Sequence, residues 1–173
     1  MIKLIEPDKK YMMSYIEAFE EYEKYNVTSY SFSDAAACDI FEKFDNYRNE
    51  KNLKSGRVGA HYFWLVDDEK DYFIGEISIR HHLNEVLERY GGHIGYGIRV
   101  SEWNKGFGTR MLELALMEAK KIGLSKILIT CNDDNIGSAK VMEKNGFVLG
   151  NKIENTFNGE TFITRRYWRN GCL

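Results

Sequence analysis

Proline, cysteine and long apolar runs are all scarce in this chain, and each scarcity closes off a class of protein. The single proline, Pro7, follows Met1 to Glu6, which reads as a strand; with Asp8 it marks that strand's stop and the start of a helix. Three cysteines, Cys38, Cys131 and Cys172, are odd in number and widely separated, which favours reduced thiols over a disulfide framework. No run approaches the roughly eighteen apolar residues of a membrane span. The first residues lack the apolar core of a signal peptide, so a cytoplasmic location is expected. Apart from the adjacent His81 and His82, no Cys or His pair has metal-ligand spacing, and no metal site is expected. Charge of one sign is missing too. A net charge of −2 lacks the basic excess of a nucleic-acid-binding chain. No repeat, low-complexity tract or linker interrupts the 173 residues, so residues 1–173 are expected to form a single domain.

What is present centres on Gly92 to Ile122. Gly92 to Val100 alternates as a strand, although its glycines weaken it. Ser101 to Thr109 is a glycine-bearing turn. Leu112, Ala115, Leu116, Ala119 and Ile122 then recur at helical spacing, and Gly123 stands where a helix ends. The first N–H groups of a helix lack internal partners and sit at the positive end of its dipole. Gly106 and Gly108 let a ligand approach the backbone, Lys105 adds charge and Thr109 adds a hydroxyl. Such a turn suits an anion, foremost a phosphate or pyrophosphate. A dinucleotide fingerprint would need a third glycine where Met111 stands, and no P-loop Gly-Lys-Ser/Thr run exists.

A second motif follows. Lys126 to Cys131 reads as a buried strand. After it comes Asn135-Ile136-Gly137-Ser138-Ala139-Lys140-Val141-Met142-Glu143-Lys144-Asn145-Gly146-Phe147, with Asn135 suited to cap a short helix and Gly146 to end it. Trp103-Asn104-Lys105-Gly106-Phe107-Gly108 resembles the acyl-CoA-binding motif of the GNAT acetyltransferase superfamily, Arg/Gln-x-x-Gly-x-Gly/Ala. The segment from Asn135 resembles the same superfamily's Asn-x-x-Ser/Ala…Glu-Lys-x-Gly-Phe signature. The resemblance is strong over residues 72–169 and weaker before them.

Elsewhere, Met12, Tyr15, Ile16, Phe19 and Tyr22 mark one helix face. Ser33-Asp34 is read as the start of a second helix carrying Ala37, Ile40, Phe41, Phe44 and Tyr47. Ala60 to Val66 and Tyr72 to Arg80 read as paired strands, and His81 to Tyr90 is left between a loop and a helical turn. Asn158-Gly159 is the strongest hairpin turn. The expected order is strand, two helices, three strands, helix, strand, helix, two strands. It matches the α/β layout of the GNAT fold.

The resemblance implies an N-acetyltransferase that uses acetyl-CoA and a small-molecule or peptide primary amine, with no nucleic-acid or membrane partner. A homodimer is possible. It implies pantetheine pairing and carbonyl polarisation by the backbone of Ile98, Arg99 and Val100. Pyrophosphate would lie on Lys105, Gly106, Phe107, Gly108 and Thr109, and a polar contact to the cofactor arm would come from Asn135. A base must neutralise the amine. His93 is the first candidate because its ordinary pKa suits proton acceptance; the alternative is a hydrogen-bonded histidine of structural role. Glu76 is the rival base, and Tyr96 a candidate proton donor. Trp103 replaces the usual Arg/Gln, with Arg99 or Arg110 as other sources of charge. Met142 replaces a tyrosine common in the family, so no general acid is assigned. Other readings are a CoA-binding module with weak or lost catalysis, and a nucleotide-binding protein that uses the same turn.

Overall fold

The computed structural model describes residues 1–170; Cys172 lies outside the described residues. The elements in chain order are β1 (Ile2–Ile5), a 3-10 turn (Lys9–Tyr11), α1 (Met12–Lys24), α2 (Ile40–Arg48), β2 (Ala60–Asp67) and β3 (Tyr72–Arg80). There follow α3 (Glu85–Arg89), β4 (Ile94–Ile98), a second 3-10 turn (Val100–Glu102), α4 (Phe107–Lys121), β5 (Lys126–Asn132), α5 (Ile136–Lys144), β6 (Val148–Phe157) and β7 (Glu160–Asn170). No helix among them is long and apolar enough to cross a membrane.

The strands form two sheets rather than one. β1-β2-β3-β4 is a four-stranded antiparallel sheet, and β5-β7-β6 is a three-stranded one. Helix α4 joins them: its stripe of Met111, Leu112, Ala115, Leu116 and Ala119 packs on Leu65, Ile74, Ile77 and Ile79 of the first sheet. The same cluster takes in Ile127, Ile129 and Tyr167 of the second. The opposite face of the first sheet carries α1 and α2 over an aromatic core. There Tyr15 stacks on Trp64 at 4.8 Å, and Phe73 meets Tyr15 edge-on at 5.1 Å. Each of these fully buried side chains contributes roughly 2–3 kcal/mol of transfer free energy, so the fold has two cores with the first sheet between them.

Local chemistry explains the boundaries. Helix α2 starts at Ile40 and not at Ser33-Asp34, because Asp39 outcompetes Asp34 as cap. The Asp39 carboxylate accepts from the N–H groups of Phe41 and Glu42, whereas that of Asp34 only closes a turn onto Ala36. The strand read from Gly92 to Val100 shrinks to Ile94–Ile98. Gly92 has positive φ at one end, and a 3-10 turn begins at Val100 at the other. The ambiguous stretch after Arg80 contains α3, capped by Asn84. Asn158 and Gly159, both at positive φ, close the β6–β7 hairpin as expected.

Candidate active site

β4 and β5 touch at one end and part at the other. Where they touch, the His93 N–H donates to the Leu128 carbonyl at 2.7 Å, and the Leu128 N–H donates to His93 Nδ1 at 3.0 Å. The Gly91 N–H also donates to Thr130 Oγ1 at 2.7 Å. Beyond this pin the strands belong to different sheets, and a cleft of about 710 Å³ opens between them. Antiparallel pairing turns alternate residues toward the neighbouring strand. Arg99 N–H is bound to the Ile74 carbonyl, and His93 carbonyl to Arg80 N–H. Ile94, Tyr96 and Ile98 therefore direct their backbone groups to the open edge. The Ile98 carbonyl is already taken by Tyr22 Oη at 2.8 Å and Trp103 Nε1 at 2.7 Å, which leaves the N–H groups of Tyr96 and Ile98 facing the gap.

The wide end of the cleft meets the start of α4. Gly106 caps the helix with φ +86, a conformation other residues adopt only under strain. Arg110 is the first residue whose N–H finds a carbonyl within the helix, that of Gly106, so the amides of Phe107, Gly108 and Thr109 point outward. Lys140 and Lys144, one turn apart on α5, join Gly106, Phe107, Gly108 and Thr109 in the cleft wall and add positive charge where the helix dipole is positive. Lys105 is exposed and paired with Glu102 at 3.1 Å, and Arg110 is paired with Glu113. Trp103, at the motif's basic position, braces the end of β4 through its indole N–H.

In the middle of the cleft two hydroxyls meet. Tyr96 Oη lies 2.8 Å from Ser138 Oγ, and both residues line the cavity. Burial pushes the Tyr96 phenol above its ordinary value. Ser138 is oriented because its N–H donates to the Asn135 side chain, the α5 cap, at 3.0 Å. Cys131 lines the same region, and burial pushes its thiol up to about 11.

Opposite this pair stands a buried acid. Glu76 of β3 is 1% exposed, and its carboxylate accepts from Trp64 Nε1 and Tyr30 Oη, each at 2.9 Å. Burial pushes it up to about 7, although both hydrogen bonds act the other way. Tyr30 forms part of the cleft wall and lies against Gly97, the β4 partner of Glu76. A Cβ at Gly97 would stand 2.6 Å from the Tyr30 ring and 2.7 Å from Tyr22 Oη, so the glycine is what lets Tyr30 reach the acid.

Four expected site residues are placed elsewhere: Lys105, exposed and paired with Glu102, is outside the cleft wall, as are His93, Arg99 and Val100. His93 is the pin between the strands. Its Nδ1 is occupied as an acceptor, the ring is absent from the cleft wall, and burial with nearby Arg80 holds the imidazole below its ordinary pKa. Arg99 turns its guanidinium away from the cleft, to Glu21 at 2.6 Å, Ser14 at 3.0 Å and the Phe73 carbonyl at 3.2 Å. Its N–H is spent on β3. Burial pushes the Glu21 carboxyl up, but Arg99 and Ser101 outweigh this and hold it below its usual value. Val100 packs against the aromatic core. Ile98, Gly106, Phe107, Gly108, Thr109 and Asn135 do line the cleft, as does Tyr96.

Sequence reasoning missed Ser138, Tyr30, Lys140 and Lys144. Ser138 and the lysines stood in the second motif, where the Asn135 cap fixes their helical phase. Tyr30 belongs to an irregular connection with no periodicity to read. No group of three or more His, Cys, Asp or Glu side chains that could hold a metal is present among the described residues.

The fold has solved counterparts. One is the RimL ribosomal L7/L12 alpha-N-protein acetyltransferase in complex with coenzyme A, at TM-score 0.72 and 16% identity over 98% of this chain and 93% of that one. A second is the ribosomal-protein-S5-alanine acetyltransferase from Vibrio fischeri, at 0.70 and 18% over 98% and 92%. A third is the microcin C7 self-immunity acetyltransferase MccE in complex with acetyl-CoA and AMP, at 0.72 and 18% over 98% and 92%. No curated protein matches the sequence. Residues 4–148 match the family described as acetyltransferase (GNAT) domain, and the chain belongs to that family of acetyltransferases.

Proposed function

We propose that this chain moves an acetyl group from acetyl-CoA to a primary amine of a small molecule or peptide, by direct attack in a ternary complex. The observation that carries this reading is the wedge between β4 and β5, with unpaired strand amides on one wall and the amides of a helix start at its mouth. The amides of Phe107, Gly108 and Thr109, with Lys140 and Lys144, suit the diphosphate, and the β4 edge suits the amide-bearing pantetheine arm. The N–H of Tyr96 or Ile98 would stabilise charge on the thioester carbonyl oxygen.

The proton inventory can be met by the protein's own groups. An incoming ammonium passes its proton through the Tyr30 hydroxyl to Glu76, whose raised pKa suits it to accept near neutrality. The amine then attacks the carbonyl carbon, the carbon–sulfur bond breaks, and the departing thiolate takes a proton from the Ser138–Tyr96 pair, which regains one from the attacking nitrogen as the amide forms. No positioned nucleophile argues for a covalent enzyme intermediate. RimL and the S5-alanine enzyme are by name acetyltransferases of ribosomal proteins, in keeping with a peptide amine as acceptor.

A CoA-binding module with weak catalysis is the second reading. It is favoured by Met142, which is fully buried and brings no proton donor to the cleft. Calorimetry with CoA, followed by assay of thiol release from acetyl-CoA against a panel of amines, separates the two. Binding with turnover supports the transferase, binding without turnover supports the module, and no binding removes both.

A further inference from the structure

Arg80 closes β3 beside the cleft, and among the described residues no acid pairs with its charge. Its Nη1 donates to the carbonyls of Gly91 at 3.0 Å and Gly92 at 2.8 Å, while Nε and Nη2 have no partner among the described residues. Burial holds the guanidinium below its ordinary value, and the titratable groups beside it, Tyr30, Tyr62, Arg57, Tyr47 and His93, include no carboxylate. Carbonyls satisfy Nη1 without neutralising the charge, and the remaining N–H groups are free to meet an anion. The side chain faces a cavity. Arg80 is part of the cleft wall, and Nη2 lies 3.5 Å from where a Cβ on Gly95 would stand.

The position along β4 matters. Gly97 lies under Tyr30 and opposite Glu76, where the amine would be deprotonated. Gly95 lies two residues away on the same face, about 7 Å along the strand. The Tyr30 ring covers both glycines: its Cε2 stands 3.4 Å and Arg80 Nη2 3.5 Å from the same Cβ position on Gly95, so ring and guanidinium lie within about 7 Å of each other. A molecule in the cleft with its amine at the Tyr30 hydroxyl would reach Arg80 with its other end. Tyr30, Tyr90 and Phe162 give the wall an aromatic component, and Tyr90 and Phe162 meet edge-on. The single acidic residue of the cleft wall, Glu102, is occupied by Lys105 at the other end.

We infer that Arg80 selects the acceptor by binding an anionic group, carboxylate or phosphate, carried within about 7 Å of the reacting amine. The favoured acceptor is then an amino-acid-like or phosphorylated amine, and a polyamine is disfavoured. This inference rests on the acetyl-transfer reading above.

The test compares matched acceptors with the purified chain and acetyl-CoA: glycine against glycinamide, 2-aminoethyl phosphate against ethanolamine, and spermidine. At least one anion-bearing member is expected to exceed its neutral counterpart in kcat/KM by about tenfold or more. The better pair identifies carboxylate or phosphate as the anion. Arg80→Gln is expected to raise KM for that member about tenfold with kcat little changed, to leave the neutral member unaffected, and to be partly rescued by Arg80→Lys. Calorimetric affinity of Arg80→Gln for CoA should equal wild type, which also reports folding. A wild-type chain that binds CoA and prefers neutral amines or spermidine overturns the anchor alone. So does an Arg80→Gln variant that affects both members of a pair equally. A wild-type chain that ignores CoA overturns the acetyl-transfer reading, and the anchor with it.

Discussion

Tyr96 Oη and Ser138 Oγ stand 2.8 Å apart across the wedge, one from the first sheet and the other from the helix that follows β5. Either atom can donate to the other, so a proton lost from one is replaced by its neighbour. A thiolate leaving between β4 and β5 would depart next to both.

Ser138→Ala should therefore lower kcat by about 100-fold, the range of a lost proton donor, with CoA affinity retained. Tyr96→Phe should lower it less, and the double variant should be little worse than Ser138→Ala because the two act as a unit. Thiol release under saturating acetyl-CoA is the measurement. Additive losses would separate the roles of the two hydroxyls.

Glu76 predicts a pH dependence in both activity and stability. Its folded pKa of about 7 lies above the ordinary carboxylate value, so the folded state holds the proton more tightly than the unfolded chain. Stability from this group is complete below pH of about 4.5 and is lost as pH rises through about 7, a cost of at most roughly 3 kcal/mol. Thermal melts of Glu76→Gln from pH 5 to 8 should show a flatter profile than wild type. In the same variant kcat/KM should fall about 100-fold or more and lose the limb that rises through about pH 7.

His93 tests the opposite outcome. Replacing it with Phe removes the acceptor for the Leu128 N–H in a buried setting and should cost about 1–3 kcal/mol in denaturant unfolding. The pH profile of kcat/KM should keep its wild-type midpoint. A displaced midpoint would return His93 to the list of bases.

The start of α4 can be probed by a single methyl. In Gly108→Ala the added carbon would stand 3.3 Å from Val141 Cγ2 at the cleft wall, where the backbone is otherwise open to a ligand. The helix should tolerate it, since alanine favours helix over glycine by about 1 kcal/mol. Calorimetry should show CoA affinity reduced by about tenfold, with thermal stability equal to or above wild type.

The sequence and the structure agree where a local signal has one physical meaning. Gly106, Asn135, Gly146 and Asn158-Gly159 each do what their conformational preferences predict, and Gly106 and Asn135 line the cleft. Disagreement arises where function depends on direction across strands. His93 and Glu76 are both polar residues on strands, and nothing in one dimension tells that Glu76 connects to the gap through Tyr30 whereas His93 pins the strands. Arg99 looked available for phosphate until Glu21, far off in sequence, claimed it. Tyr30 was beyond reach for the same reason: its value lies in meeting Glu76 from a connection that has no repeat of its own.

The interrupted sheet has a consequence for how the molecule holds together. Among the described residues seven strands are present, yet the row of backbone pairing stops between β4 and β5, where the His93 contacts, the Tyr96–Ser138 hydroxyls and α4 hold the halves together. An extended ligand with amides of its own would act as a temporary eighth rung, stitching one half of the protein to the other. Affinity and cohesion would then be a single quantity: whatever fills the seam also tightens the frame that grips it.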